Sequence, residues 1–249
     1  MMDLPWPTLV FAAAVVALAY VVYGLTGFGA SIIAIPFLAH IFPLRFAVPM
    51  MLLFDIGAGL LLGLRHRRIV DWRELLRLSP WLLIGMALGL SLLVQAGERL
   101  LLLLLGGFVL GYASWSLLVR APEGSASKGW SVPAGLVGGA FTSMFGTGGP
   151  IYTIYLVRRI PDKHVLRASI SLLILCAGLV RLVMFTGSGL YQQAGLLATA
   201  LLLMPAAFLG FLGGSRLHAR LPPQRALQAV WALLILGGIG LLVRAYALG

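Results

Sequence analysis

Apolar residues run in long unbroken stretches along this chain instead of alternating with polar ones. Leu82–Val94, Leu100–Val119 and Ala226–Val243 are nearly free of charge. A helix that spans a bilayer needs about 17–25 such residues, whereas a membrane barrel needs an apolar–polar alternation. Runs such as Leu100–Leu105 and Leu201–Leu203 do not alternate, so the segments read as helices. Eight to ten hydrophobic segments emerge. The first five are Pro7–Gly24, Phe28–Ile41, Phe46–Leu64, Leu78–Gln95 and Leu100–Val119. The second five are Val132–Phe145, Pro150–Val157, Ala168–Phe185, Ala194–Leu212 and Ala226–Val243. Between the two sets, Arg120–Ser131 gathers Pro, Glu, Gly, Ser and Lys, as a linker does.

The two sets resemble each other. Gly27-Phe-Gly29 near the start of one is matched by Gly146-Thr-Gly148 in the other, 119 residues later. Pro43-Leu-Arg45 matches Pro161-Asp-Lys163, and Pro80-Trp-Leu-Leu-Ile-Gly85 matches Pro205-Ala-Ala-Phe-Leu-Gly210. The order is kept and the offset stays between 118 and 125 residues, which argues for duplication. The expected organisation is one transmembrane domain over 1–249, with repeat one at about 7–119, a linker at 120–131 and repeat two at about 132–246.

Charge orients the halves. The loops Arg65–Arg77, Arg120–Lys128, Arg158–Arg167 and Arg216–Arg225 hold 14 of the 18 Lys and Arg residues, while Ala96–Arg99 and Gly187–Gln193 together hold one. Basic loops stay in the cytoplasm. Phe46–Leu64 then runs inward and its counterpart Ala168–Phe185 runs outward, so the repeats are inverted, an arrangement common in secondary transporters. Both termini fall on the periplasmic side. The fold class expected is therefore an all-α polytopic membrane protein, an inverted-topology repeat with two broken or re-entrant helical hairpins.

Composition agrees. The chain is 61% hydrophobic and 10% charged, with a mean hydropathy of +1.03, against about 25% charged residues in soluble domains. The net charge of +11 is explained by topology, and no nucleic-acid-binding motif competes with that reading. Cys176 is the single cysteine, which leaves no intrachain disulfide and no multi-cysteine metal site; it is expected to be a small buried apolar residue. There is no HExxH, no GxSxG and no pair of intramembrane acids, so no catalytic residues, metal or cofactor are expected. Met1–Pro7 lacks a basic n-region, and the first apolar run reads as permanent.

The candidate chemistry lies at the glycine clusters. Pro150–Val157 would be about 12 Å long at 1.5 Å per residue, too short to span. The chain is expected to dip in, break at Phe145-Gly-Thr-Gly-Gly-Pro150 and return, and to do the same from the other side at Gly24-Leu-Thr-Gly-Phe-Gly29. Breaks in lipid must be buried in protein or line a cavity. Helix N-termini present free N–H donors and partial positive charge, which suits an anion. Thr26, Ser31, Thr142, Ser143 and Thr147 add hydroxyls, and Tyr23, Phe28 and Tyr152 flank the breaks. Close packing is the alternative use of such glycines.

Gly24-Leu-Thr-Gly-Phe-Gly-Ala-Ser31 and Phe145-Gly-Thr-Gly-Gly-Pro150, one per half, resemble the sulfite exporter TauE/SafE family of anion permeases over nearly the whole chain. That resemblance implies bacterial inner-membrane transport of sulfite, thiosulfate or organosulfonates such as sulfoacetate, often as export. It extends to Gly27, Gly29, Gly146, Gly148, Gly149 and Pro150. With the neighbouring Thr26, Phe28, Ser31, Thr147 and Arg181, these form the expected substrate site.

Two charges fall inside apolar segments, Asp55 and Arg181. Such charges pair or line a water-filled route. Arg181 is expected to attract the anion, and Asp55 to carry a proton or act as a gate; mutual pairing is the structural alternative. His40 lies near the outer end of its segment, and His66, His164 and His218 read as solvated loop residues. The function expected is a secondary exporter of small sulfur oxyanions working by alternating access. A passive anion channel on the same scaffold, and an importer of a sulfonate, are the alternatives. Expected partners are the bilayer, the anion, a coupling proton and, in a homodimer, a second copy of the chain.

Overall fold

The structure is a computed structural model and describes residues 5–26, 29–63, 69–118, 126–217 and 223–248. Among them all regular structure is helical: α1 (Trp6–Thr26), α2 (Ser31–Leu38), α3 (Leu44–Gly63), α4 (Trp72–Gln95), α5 (Glu98–Leu118), α6 (Ser131–Phe145), α7 (Gly149–Val157), α8 (Lys163–Gly187), α9 (Leu196–Leu217) and α10 (Pro223–Ala247), with short 3₁₀ turns at Lys128–Trp130 and Leu190–Gln192. Six helices among the described residues are long and apolar enough to cross a membrane, namely α1, α4, α5, α8, α9 and α10. Their outward faces carry large apolar side chains such as Leu83, Leu88, Val183, Leu201 and Leu209, as lipid contact requires.

Two helices begin earlier than hydropathy alone marks, for a common reason. Asp71 accepts hydrogen bonds from the N–H groups of Arg73 and Glu74, and Asp162 accepts from His164 and Val165. These aspartate N-caps extend α4 and α8 by one turn or more beyond the apolar runs. In Asp71-Trp-Arg-Glu74 the glutamate of the first turn is buried, not a loop charge. It takes the Tyr155 hydroxyl at 2.7 Å, Arg159 Nη2 at 2.6 Å and Arg77. That cluster ties the start of α4 to the end of α7. By contrast α2 is shorter than Phe28–Ile41, because turns replace the helix after Leu38. Cys176 is exposed on the outer face of α8, not buried; a small thiol is as compatible with lipid as with a core.

Helix pairing follows a pattern. α1 packs along α9 and α4 along α6, while α5 pairs with α10 and α3 with α8. Glycine permits backbone contact in the first two pairs. A Cβ on Gly85 would run into the backbone of Leu136, and one on Gly89 into that of Ala140. In the same way, a Cβ on Gly210 would strike Ala17 and one on Gly214 would strike Val21. The glycine pairs stand 125 residues apart, and the residues they touch stand 119 apart. Membrane helices associate through such small-residue contacts because lipid supplies no hydrophobic drive.

Overpacking a tight contact costs about 1–3 kcal/mol and sometimes more. Gly89→Val and Gly214→Val are each expected to lower thermal stability in detergent by at least that much. At Gly107 an added Cβ meets open space, so Gly107→Ala should stay within about 1 kcal/mol of the parent. Fluorescence-detected size-exclusion after a heat ramp reads all three.

Candidate functional site

The break between α6 and α7 is built by local chemistry. Gly146 adopts φ +69°, the left-handed region. Its N–H donates to Thr142 O at 2.9 Å, and Thr147 N–H donates to Phe141 O at 3.3 Å. This is a left-handed (αL) helix cap, which satisfies carbonyls of the last turns of α6. α7 then starts at Gly149 with Pro150 in its first turn, where no N–H is needed.

Around this turn lies a cavity of about 750 Å³. Gly146, Thr147, Gly149 and Pro150 line it from the second half, and Gly29 and Ile32 from the start of α2. Asp55 of α3 and Arg181 of α8 both face it, with Tyr23 and Tyr152 as aromatic walls. Its mouth is lined by Ile69, Ser215, His164 and Arg167, at the end of the bundle that holds the α3–α4 and α7–α8 connections. His164 is therefore a cavity residue as well as an exposed one.

Arg181 is 4% exposed. Its guanidinium carbon sits 5.2 Å from the Phe185 ring centroid, and its Nε has no hydrogen-bond partner among the described residues. Thr147 Oγ1 and Ser143 Oγ are also buried without partners there. Ser31 adjoins the same turn: a Cβ on Gly146 would lie 3.0 Å from the Ser31 Cβ and 3.4 Å from Arg181 Nη1. Buried donors without partners are costly, and an anion in the cavity that Arg181 and Thr147 line would satisfy theirs.

Asp55 and Arg181 do not pair with each other. The Asp55 carboxylate instead takes Tyr20 OH on Oδ1 at 2.7 Å and Ser31 Oγ on Oδ2 at 2.5 Å. Tyr20 drew no attention in the sequence, because nothing in a run of apolar helix marks a hydroxyl whose partner lies 35 positions away. Gly148 stands off the cavity; a Cβ there would strike Gly138 O and Thr142 Oγ1, so it serves the packing of the hairpin. Thr142 donates to Gly138 O at 2.7 Å and lines the cavity. Gly27 and Phe28, and the side chain of Thr26, lie outside the described residues, as do His66 and His218. His40 is exposed at the end of α2, with Nδ1 2.9 Å from Pro36 O.

Beyond Arg181, side-chain hydrogen bonds tie the turn after α8 to the first turns of α3. Gln193 Nε2 donates to Arg45 O at 2.8 Å and to Leu190 O at 2.9 Å, and Tyr191 OH reaches Pro49 O at 3.3 Å. Phe185, the ring beneath Arg181, packs on Tyr191.

Comparison with known proteins bears on this arrangement. Residues 12–241 match the family described as Sulfite exporter TauE/SafE. Over 195 residues, 77% of this chain and 81% of the other, the sequence is 31% identical to a Comamonas testosteroni protein described as "Probable inner membrane transporter protein TsaS". No solved structure matches the chain. With six apolar helices of spanning length among the described residues and a family match across residues 12–241, the chain belongs to the TauE/SafE sulfite exporter family of inner-membrane transporters.

Proposed function

We propose that the protein is a secondary transporter of small sulfur-containing oxyanions (sulfite, thiosulfate or an organosulfonate such as sulfoacetate) that exports them by alternating access. The observation that carries this reading is the buried Arg181, unpaired at Nε, facing a cavity that also receives the first turn of α7 and the start of α2. An oxyanion there would meet a planar guanidinium able to bind two oxygens at once, the hydroxyl of Thr147 and the N–H groups of a helix start. The site holds no metal cluster among the described residues, and its donors are hydrogen-bond donors, which favours an anion over a cation.

Alternating access is supported by the pairing of the helices. The matched glycine contacts, of Gly85 and Gly89 of α4 with α6 and of Gly210 and Gly214 of α9 with α1, join each half's first helix to the other half's fourth. Two related, inverted halves over about 7–119 and 132–246 account for this. In that frame the basic loops are cytoplasmic, both termini are periplasmic, the open mouth at His164 and Arg167 faces the cytoplasm, and the Gln193–Arg45 contact seals the periplasmic side.

Purified protein in proteoliposomes is expected to move at least one of sulfite, thiosulfate, sulfoacetate or taurine, with saturation and counterflow. Folded protein that moves none overturns the reading, and flux that rises linearly without counterflow makes it a channel. Arg181→Gln should weaken apparent affinity about tenfold to a hundredfold, from the roughly 1.5–3 kcal/mol of hydrogen bonds to a charged group. Gly146→Ala should cost about 1–2 kcal/mol of stability for its left-handed backbone, whereas Gly29→Ala, with open space at the Cβ position, should cost less than about 0.5 kcal/mol. For topology, in a Cys176→Ala background, an impermeant maleimide should label Gly97→Cys in intact spheroplasts and Lys163→Cys only after permeabilisation.

A further inference from the structure

We propose that Tyr20, Ser31 and Asp55 form a proton site coupled to the anion site, with the Ser31 hydroxyl as the group that switches between carboxylate and anion. The proposal rests on the anion-transport reading and adds its coupling ion.

The geometry comes first. A buried arginine and a carboxylate line one cavity and do not meet. Asp55 has no ion pair among the described residues, and both its oxygens are held by hydroxyls, from Tyr20 of α1 and Ser31 of α2. Ser31, 1% exposed, is the point at which the two sites touch. Its Cβ lies beside the Gly146 turn, and Arg181 Nη1 lies beside the same turn. The titratable or charged groups that act on Asp55 are Tyr20 and Tyr23 of α1 and Arg181 of α8; Ser31 of α2 is neutral. Arg181 is also faced by Tyr152 of α7 and by Tyr191 beyond the end of α8.

Charge then sets the coupling. Empty, the buried interior of the cavity holds one positive group, Arg181, and one negative group, Asp55, while Arg167 and His164 stand exposed at its mouth. An entering monoanion makes the sum negative inside a low-dielectric space, and a nearby carboxylate resists a second negative charge. Protonating Asp55 restores the balance without moving any other group. The hydrogen bonds rearrange to fit. A serine hydroxyl has one proton to donate and lone pairs to accept. While Asp55 is ionised, that proton is committed to Oδ2. Once Asp55 is protonated, its own O–H donates to Ser31 Oγ, and the serine proton turns to an anion oxygen. Tyr20 keeps donating to Oδ1 in both states. Asp55 takes the proton from solvent on the side where the anion enters, holds it while the anion is bound, and releases it to solvent on the side where the anion leaves.

One proton therefore travels with each monoanion, in the same direction and without net charge. The pH gradient drives the cycle and the membrane potential does not. Efflux follows when the excess of anion inside exceeds the opposing proton gradient.

Methanesulfonate tests this, because it stays a monoanion across the working pH range. In proteoliposomes of the full chain, counterflow at equal pH reads anion transport by itself. An acid-outside gradient should drive accumulation of about tenfold per pH unit, with internal pyranine recording one proton per anion and valinomycin-clamped potential changing nothing. The apparent Kd should rise about tenfold per pH unit where Asp55 is ionised in the free protein, by linkage. In Asp55→Asn that slope should vanish and accumulation should be lost, whatever the rate. Ser31→Ala should weaken anion affinity and flatten the slope, and Ser31→Thr should restore both. Should a variant fail to fold, the proton count on the parent protein decides the matter. Net anion uptake without proton movement in the parent, or Asp55→Asn accumulating as the parent does, overturns the proposal and leaves the transport reading standing. Absence of counterflow in the folded parent with methanesulfonate and with every anion named above removes the transport reading, and this proposal with it.

Discussion

The first N–H groups of any helix have no partner within it, and inside a bilayer there is no water to supply one. Two short helices, α2 and α7, begin in the interior of this bundle, and the rest of the structure is arranged around making those beginnings tolerable. The α6 side is closed by the Gly146 turn, which leaves the Phe141 and Thr142 carbonyls satisfied. Gly29 and Ile32 at the start of α2 and Gly149 and Pro150 at the start of α7 face the cavity. Enclosure needs long helices held very close, and close approach is what Gly85, Gly89, Gly210 and Gly214 provide through direct contact with the backbones of α6 and α1. The glycines that pack and the glycines that break the chain thus serve one requirement.

Much of this was legible because hydrophobic burial and backbone breakage leave marks in sequence. The α6–α7 break falls within a residue of where Val132–Phe145 and Pro150–Val157 place it, since a glycine with positive φ followed by proline permits little else. Arg181 and Asp55 stood out because charge is rare in apolar helix. What stayed hidden was long-range or dual in use. Asp71 and Asp162 fall within the basic loop stretches Arg65–Arg77 and Arg158–Arg167, although their side chains begin helices. Glu74 falls in the first of these stretches, yet its carboxylate is buried on Arg159 and Tyr155, more than eighty positions away. His164 is both exposed and part of the cavity mouth, a combination that residue type alone does not signal. Cys176 shows the limit of apolar patterning in a membrane helix: inner and outer faces are both greasy, so hydrophobicity does not say which way a side chain points.

The separation of Asp55 from Arg181 is the feature that gives the cavity its character. A direct ion pair would neutralise both groups and fill the donors that an anion requires. Tyr20 and Ser31 prevent this from the acid's side by taking both carboxylate oxygens. Phe185 acts from the other side. A cation over an aromatic face is held through the ring quadrupole, a contact that uses none of the guanidinium N–H donors. The 5.2 Å placement over Phe185 therefore orients Arg181 without occupying its donors. Phe185 in turn packs on Tyr191, whose hydroxyl meets the start of α3 at Pro49. A continuous line of contacts thus runs from the anion donors to the first turns of α3, at the end proposed to be periplasmic. Any movement that separates Tyr191 from Pro49 must disturb the surface on which Arg181 rests, so in the proposed transport cycle occupancy of the site and closure of that end would share one physical support.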